Sequence, residues 1–172
     1  MKIFFHVFKF LIGFLVYVNH RLYMNFYIWL LHFTKIKMTG TPRFIAKSVK
    51  FDDFNRISLG DRLVVSMNVH FLTHDYSYTT ALIAINEPPK KDIGILRDIF
   101  VGNNVFIGMN CILLPGTNIG NNVIIGAGSI VRGTIPDFAI VAGNPAQVIG
   151  DIREYAQKVK SRKNQDLRKD TK

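Results

Sequence analysis

The stretch from Val101 to Val131 reads VGNNVFIGMNCILLPGTNIGNNVIIGAGSIV and carries a period of six. Val101, Ile107, Leu113, Ile119, Ile125 and Val131 fall six residues apart. Gly102, Gly108, Gly120 and Gly126 follow four of these aliphatic residues; Leu114 and Arg132 take that place after the other two. Four positions after each aliphatic residue stands a small or branched one: Val105, Cys111, Thr117, Val123, Ser129 and Ile135. Each hexad thus supplies one short flat strand and one turn. The aliphatic residue points inward, and the residue four later points inward near a tighter corner. Gly and Asn tolerate positive φ, which such turns need, and Asn103-Asn104 and Asn121-Asn122 fall at the expected turns. A single hexad cannot bury its apolar face, so the hexads must stack into a solenoid.

A weaker form of the pattern lies upstream. Leu59, Val65 and Phe71 are six apart, with Leu63 and Val69 at the fourth following position. Ile45 and Phe51 start the series, with Val49 inward, and a two-residue offset separates Phe51 from Leu59. The repeat stops at Thr73-His74-Asp75 and resumes near Ile99. The intervening segment holds Tyr76, Tyr78, Thr79, Thr80, Glu87, Pro88-Pro89 and Lys90-Lys91. A connection this long inside a compact solenoid is uncommon, and such loops carry function.

Charge is placed unevenly. The chain of 172 residues has a net charge of +10. Residues 1–50 hold eight Lys/Arg and no Asp/Glu, while residues 51–146 are near neutral and residues 147–172 are again basic. A nucleic-acid binder carries its basic stripe on the folded body, interleaved with aromatics, so that class is disfavoured. Basic ends beside an apolar segment point to an anionic membrane surface. The single cysteine, Cys111, forms no internal disulfide and permits a reducing, intracellular setting.

The order Thr73-His74-Asp75-Tyr76, loop, Ile107-Gly108, Leu114-Pro115-Gly116, Ile125-Gly126-Ala127-Gly128-Ser129, Ile135-Pro136 and Gly143-Asn144-Pro145-Ala146 resembles the hexapeptide-repeat acyltransferases. Within them it is similar to the maltose, galactoside and polysaccharide O-acetyltransferases, and the likeness covers about residues 45–150. The resemblance implies an all-β fold, a left-handed parallel β-helix in which three hexads make one triangular coil. The expected organisation is an apolar helical segment over 1–40, the β-helix over 41–150 with a loop at 75–98, and a short helix with a basic tail over 151–172. It also implies a homotrimer with acetyl-CoA as cosubstrate between subunits, and a sugar or lipid-linked saccharide acceptor.

His74 is the candidate catalytic residue. A sugar hydroxyl is a poor nucleophile at neutral pH, and an imidazole can take its proton as it attacks a thioester. Asp75 is adjacent, but neighbouring side chains on extended chain point apart. Cys111 falls on the inward register and reads as core. His70 and His74 lack a third nearby ligand, which argues against the zinc site of the related carbonic anhydrase-like proteins, and no metal is expected. By resemblance, Met109, Ala127, Arg132, Gly133 and Gln147 match coenzyme contacts. Two departures stand out: the usual basic pair after Asn-Pro-Ala is replaced by Gln147 and Gly150, and Phe106 stands where many members carry Trp.

Residues 3–33 are rich in aromatic and aliphatic side chains, yet neither apolar run reaches the length of a membrane span, and Arg21 would sit in the middle of a joined one. Lys2, His6, Lys9, Gly13 and His20 form a weak polar stripe. Two short helices in the membrane interface are expected, with packing on the domain or on a neighbouring subunit, and a spanning segment, as the other readings. The expected location is cytoplasmic, at the inner face of the cytoplasmic membrane. At the other end, Ile152, Tyr155 and Val159 form an apolar stripe for a helix closing the solenoid, and Lys160 onward reads as a solvated tail. The function expected is acetyl transfer to a sugar hydroxyl in surface polysaccharide synthesis. A non-catalytic, membrane-associated scaffold is the alternative, and a zinc hydratase on the same fold a third.

Overall fold

The computed structural model describes residues 2–161. Short strands stack into three parallel sheets, the three faces of a left-handed parallel β-helix. The first face holds Lys37–Met38, Ile57–Leu59, Ile99–Val101, Asn118–Ile119 and Thr134–Ile135. The second holds Phe44–Ile45, Val64–Val65, Phe106–Ile107, Ile124–Ile125 and Ala139–Gly143. The third holds Lys50–Phe51, His70–Phe71, Ile112–Leu113 and Ile130–Val131. Phe106 pairs with Ile124 and Ile112 with Ile130, so one coil takes three hexads. Ile107, Leu113, Ile119, Ile125 and Val131 all point inward, and Val105, Cys111, Thr117, Val123 and Ser129 fill the corners.

Two details depart from the simple period. Ile135 pairs with Ile119 and so takes a strand position, not the corner position that the spacing assigned to it. Gly133, at φ +71, closes that turn early. The offset between Phe51 and Leu59 is absorbed by a 3-10 turn at Phe54–Arg56, whose Phe54 is buried. Asn104 and Asn122 are among the turn residues at positive φ, as expected from the asparagine pairs. The glycines after the aliphatic residues answer a different demand. A Cβ on Gly102 would lie 2.5 Å from the Gly120 carbonyl oxygen in the next coil, so backbone contact between coils, not turn conformation, requires glycine there. Along the same corner the Asp61 N–H donates to Asn103 Oδ1 (2.7 Å), Asn103 N–H to Asn121 Oδ1 (2.9 Å), and Asn121 N–H to Asp137 Oδ1 (2.7 Å). These side chains satisfy turn amides that the short strands leave unpaired.

Three helices cover the open first coil: α1 (Lys2–Ile12), α2 (Leu15–Val18) and α3 (His20–His32). Asn19 caps α3 by accepting from the Leu22 N–H at 2.9 Å. Tyr23, Met24, Tyr27, Leu30 and Leu31 recur at helical spacing and are buried together, each contributing about 1.5–3 kcal/mol of burial. Tyr23 Oη donates to the Ile45 carbonyl (2.8 Å), and the Ile45 N–H donates to Met24 Sδ (3.4 Å). Both backbone groups of Ile45, in the end strand, are thereby satisfied. The N-terminal segment thus packs on the domain through one face. Lys9 of its polar stripe is turned inward at only 8% exposed, while His6 and His20 stay exposed and Ile3 and Phe10 are 82% and 83% exposed. No described helix is long and apolar enough to cross a membrane.

The loop after His74 contains α4 (Ser77–Ala84). At the far end, the strand Ala146–Asp151 turns back antiparallel on Ala139–Gly143 and leads into α5 (Ile152–Ser161). This helix does not close the solenoid as its apolar stripe implied: none of its residues is buried, and Ile152 lies beside Arg43, Arg62, Phe106 and Ile124 on the outside of the second face. The tail expected to be solvated lies largely outside the described residues.

Candidate active site

The loop leaves the β-helix at the corner between the third and first faces. Going up that corner, coil by coil, the chain places Asp52-Asp53, then Thr73-His74, then Leu114-Pro115-Gly116, then Arg132-Gly133. The arm is tied down at its root. His74–Asp75 pairs antiparallel with Ile95–Leu96, and the Arg97 N–H donates to the Thr73 carbonyl at 2.9 Å. Arg56 and Asp98 form an ion pair at 3.0 Å, and the Ile93 N–H donates to Thr79 Oγ1 at 2.8 Å inside the arm.

His74 is solvent-accessible, with its side chain 40% exposed. Its Nδ1 lies 3.4 Å from Asp52 Oδ2 and 3.7 Å from Asp53 Oδ2. Both carboxylates are fixed by Thr73, which is buried. Its Oγ1 donates to Asp53 Oδ2 (2.9 Å), and its N–H donates to Asp52 Oδ2 (3.3 Å). The Tyr76 ring meets the imidazole edge-on at 5.6 Å between centroids. Asp75 does not take part. Its Oδ1 accepts from the Ser77 N–H at 2.8 Å, and the Ser77 backbone and side chain hold its carboxyl below the usual range. A carboxylate pair beside Nδ1 favours the tautomer with hydrogen on Nδ1, which leaves Nε2 as the proton acceptor.

The five residues matched to coenzyme contacts do not form one cluster on this chain. Met109 and Ala127 occupy the corner between the second and third faces, in consecutive coils, and the Gly128 N–H donates to the Met109 carbonyl at 2.8 Å. Arg132 and Gly133 sit on the His74 corner, where they line a cleft of about 360 Å³ with Arg97, Pro115, Gly116 and Asp75. Gln147 lies on the last strand, opposite Ala142. The third face runs between the two corners. An added Cβ at Gly128 or Gly133 would meet nothing within 4 Å, so both corners offer open space beside backbone.

Asp52, Asp53, Thr73 and Arg97 were not singled out from the sequence. Asp52 and Asp53 precede the first-coil offset, and only the coil-to-coil register brings them under His74. That register was available in principle, because Phe51 and Phe71 occupy equivalent places in the hexad series and pair in the structure. Cys111 is buried, as its inward register implied. Its Sγ approaches the Gly126 carbonyl at 3.1 Å, and burial pushes its thiol up. Among the described residues no group of three His, Cys, Asp or Glu side chains could hold a metal ion.

Comparison with known proteins bears on the same region. Residues 98–133 match the family described as bacterial transferase hexapeptide (six repeats). Over these residues the chain is similar to the bacterial transferase hexapeptide family. A putative lipopolysaccharide biosynthesis O-acetyl transferase of Escherichia coli, WbbJ, is 30% identical over 115 residues, covering 62% of this chain and 59% of that one. Protein CapG of Staphylococcus aureus is 43% identical over 103 residues, covering 60% and 57%. This hexapeptide-repeat chain therefore aligns with about three-fifths of the length of these curated relatives. Among solved structures, a hexapeptide-repeat acetyltransferase of Vibrio cholerae complexed with acetyl coenzyme A superposes with a TM-score of 0.55 at 18% identity, over 86% of this chain and 87% of that one. That likeness carries the fold.

Proposed function

We propose that this protein transfers an acetyl group from acetyl-CoA to a hydroxyl of a sugar, with His74 as general base. The observation that carries the reading is the placement of His74. It stands where the coil opens into the arm, accessible at one nitrogen and backed by Asp52 and Asp53 at the other. The acceptor O–H gives its proton to Nε2 while the oxygen bonds to the thioester carbonyl carbon. Backbone N–H groups stabilise the resulting oxyanion. The C–S bond then breaks, and the CoA thiolate leaves with the proton from the imidazolium. Asp52 and Asp53 stabilise that imidazolium.

The acceptor is a surface polysaccharide precursor, a reading supported by the name of the Escherichia coli relative. The chain works as a homotrimer. Support comes from the separation of the coenzyme residues over two corners, which one chain does not close into a pocket, and from the exposed Tyr76, Tyr78, Ile83 and Ile85 of the arm. Met109, Ala127, Arg132, Gly133 and Gln147 line the coenzyme groove in this reading. Residues 1–33 make a peripheral contact with the inner face of the cytoplasmic membrane through their exposed aromatic face. The replacement of the usual basic pair by Gln147 and Gly150 favours one other reading, a non-catalytic membrane-associated scaffold.

The deciding experiment incubates the full chain with acetyl-CoA and sugar acceptors and follows free thiol together with acetylated product. Turnover that His74→Ala abolishes supports the enzyme. Full turnover by His74→Ala removes the mechanism, and no acetyl-CoA binding at millimolar ligand favours the scaffold.

A further inference from the structure

A second recess lies away from the His74 corner, between α1–α2 and the first coil, with a volume of about 840 Å³. Lys9, Lys47 and Lys50 line it, and Phe10, Phe14 and Tyr17 form its apolar wall. No acidic side chain lines it, and residues 1–50 contain none. Lys9 is held inside by the Val49 carbonyl, to which its ammonium donates, and its charge lies near the Phe5 and Tyr27 rings. Lys47 donates to Tyr17 Oη at 3.3 Å and lies over that ring. The cationic groups are thus gathered without a counter-charge. Burial and the Lys50 charge lower the Lys9 ammonium to about 8.

The surroundings of the recess are equally specific. Ile3, Val7, Phe10, Phe14 and Val18 project outward from α1–α2, and Phe10 and Phe14 belong both to this surface and to the wall of the recess. An apolar surface bordering a cationic pocket matches a ligand with an anionic head and an apolar chain. A second copy of the same segment would not supply the missing charge, since it brings eight more cations and no carboxylate.

We propose that this recess takes the phosphate-bearing headgroup of an anionic membrane lipid, with Lys47, Lys50 and Lys9 on the phosphate and Phe10, Phe14 and Tyr17 along the first part of the acyl chain. The proposal rests on the reading of residues 1–33 as membrane-contacting and gives that contact its lipid preference. It does not depend on acetyl transfer.

The test is co-sedimentation of the full chain with vesicles of phosphatidylcholine alone, or with about one third phosphatidylglycerol. The protein is expected to partition to the anionic vesicles and to lose that binding as salt is raised. Lys47→Gln combined with Lys50→Gln lowers partitioning on the order of tenfold to thirtyfold, and Lys90→Gln combined with Lys91→Gln, on the distant arm, changes it by less than about twofold. All four lysines are at the surface, so the variants keep the fold, which thermal melting checks. Equal losses from the two pairs, or equal binding to neutral vesicles, overturn the recess and leave membrane contact standing. No binding to either vesicle overturns both.

Discussion

Asp52 stands one coil below His74, with its Oδ2 3.4 Å from His74 Nδ1. The contact exists because Asp52 follows Phe51, and Phe51 stacks directly under Phe71 on the third face. In the proposed reaction, a carboxylate in that place steers the imidazole and offsets the charge it takes on during transfer. His74→Ala is expected to lower kcat on the order of a hundredfold to ten-thousandfold, the span of a lost general base. Asp52→Asn keeps the shape and removes the charge. With the site open to water, it is expected to lower kcat on the order of tenfold to a hundredfold while leaving KM for acetyl-CoA unchanged. Steady-state kinetics with both variants checks this. An Asp52→Asn enzyme with unchanged kcat would show that the carboxylate serves the fold alone.

The β-helix was legible in the hexads because each inward position must be filled at every level, which stamps its period on the sequence. His74 was legible as the last residue before that period fails. Its partners were not, since Asp52 and Asp53 come from another coil and sit at a turn, where Asp is unremarkable by itself. In the N-terminal helices Lys9 departs from His6 and His20 of the polar stripe for a physical reason. A lysine at position 9 suggests a wet face, yet its ammonium reaches a backbone carbonyl that the first coil leaves unpaired. Ile135 was misplaced because a glycine turn shortened one side of a coil, and spacing alone does not register a deletion inside a corner.

Gly102→Ala tests the contact between coils. The new methyl would lie 2.5 Å from the Gly120 carbonyl oxygen, which is backbone of the next coil and cannot swing aside. The expected loss is about 1–3 kcal/mol of stability, typical of overpacking a filled site. Gly128→Ala, with open space around it but φ at +73, should cost less, about 1 kcal/mol from backbone strain. Urea unfolding of the two variants ranks them, and the reverse order would contradict this account of the glycines.

Tyr23 and Tyr27 stack at 5.5 Å between ring centroids but hold different hydroxyls. Tyr23 Oη donates to the Ile45 carbonyl, whereas Tyr27 Oη is buried with no hydrogen-bond partner among the described residues. Burial raises both phenols above their ordinary range. Tyr23→Phe is expected to cost about 1–2 kcal/mol, because it orphans a carbonyl at the end of the solenoid. Tyr27→Phe removes a desolvated hydroxyl and is expected to be neutral or to stabilise by about 1 kcal/mol. Thermal melts should therefore show a lowered midpoint for Tyr23→Phe and an unchanged or raised one for Tyr27→Phe.

Lys9 gives the fold a pH dependence of unusual sign. Burial and the Lys50 charge bring its folded-state value from 10.5 to about 8, so the folded chain releases this proton more readily than the unfolded chain. The charged form disfavours folding, and the penalty is fully present below pH 8. It fades as pH rises toward 10.5, where the unfolded chain loses the proton as well. Between about pH 7.5 and 9.5 this group should add about 2 kcal/mol of stability to the native chain. Lys9→Met should lack that slope, although it also leaves the Val49 carbonyl without its donor and so loses part of what it gains at neutral pH. The comparison is made by urea unfolding of both proteins at the two pH values. Parallel pH profiles would mean that water reaches the Lys9 ammonium and that its burial does not govern the stability of the cap.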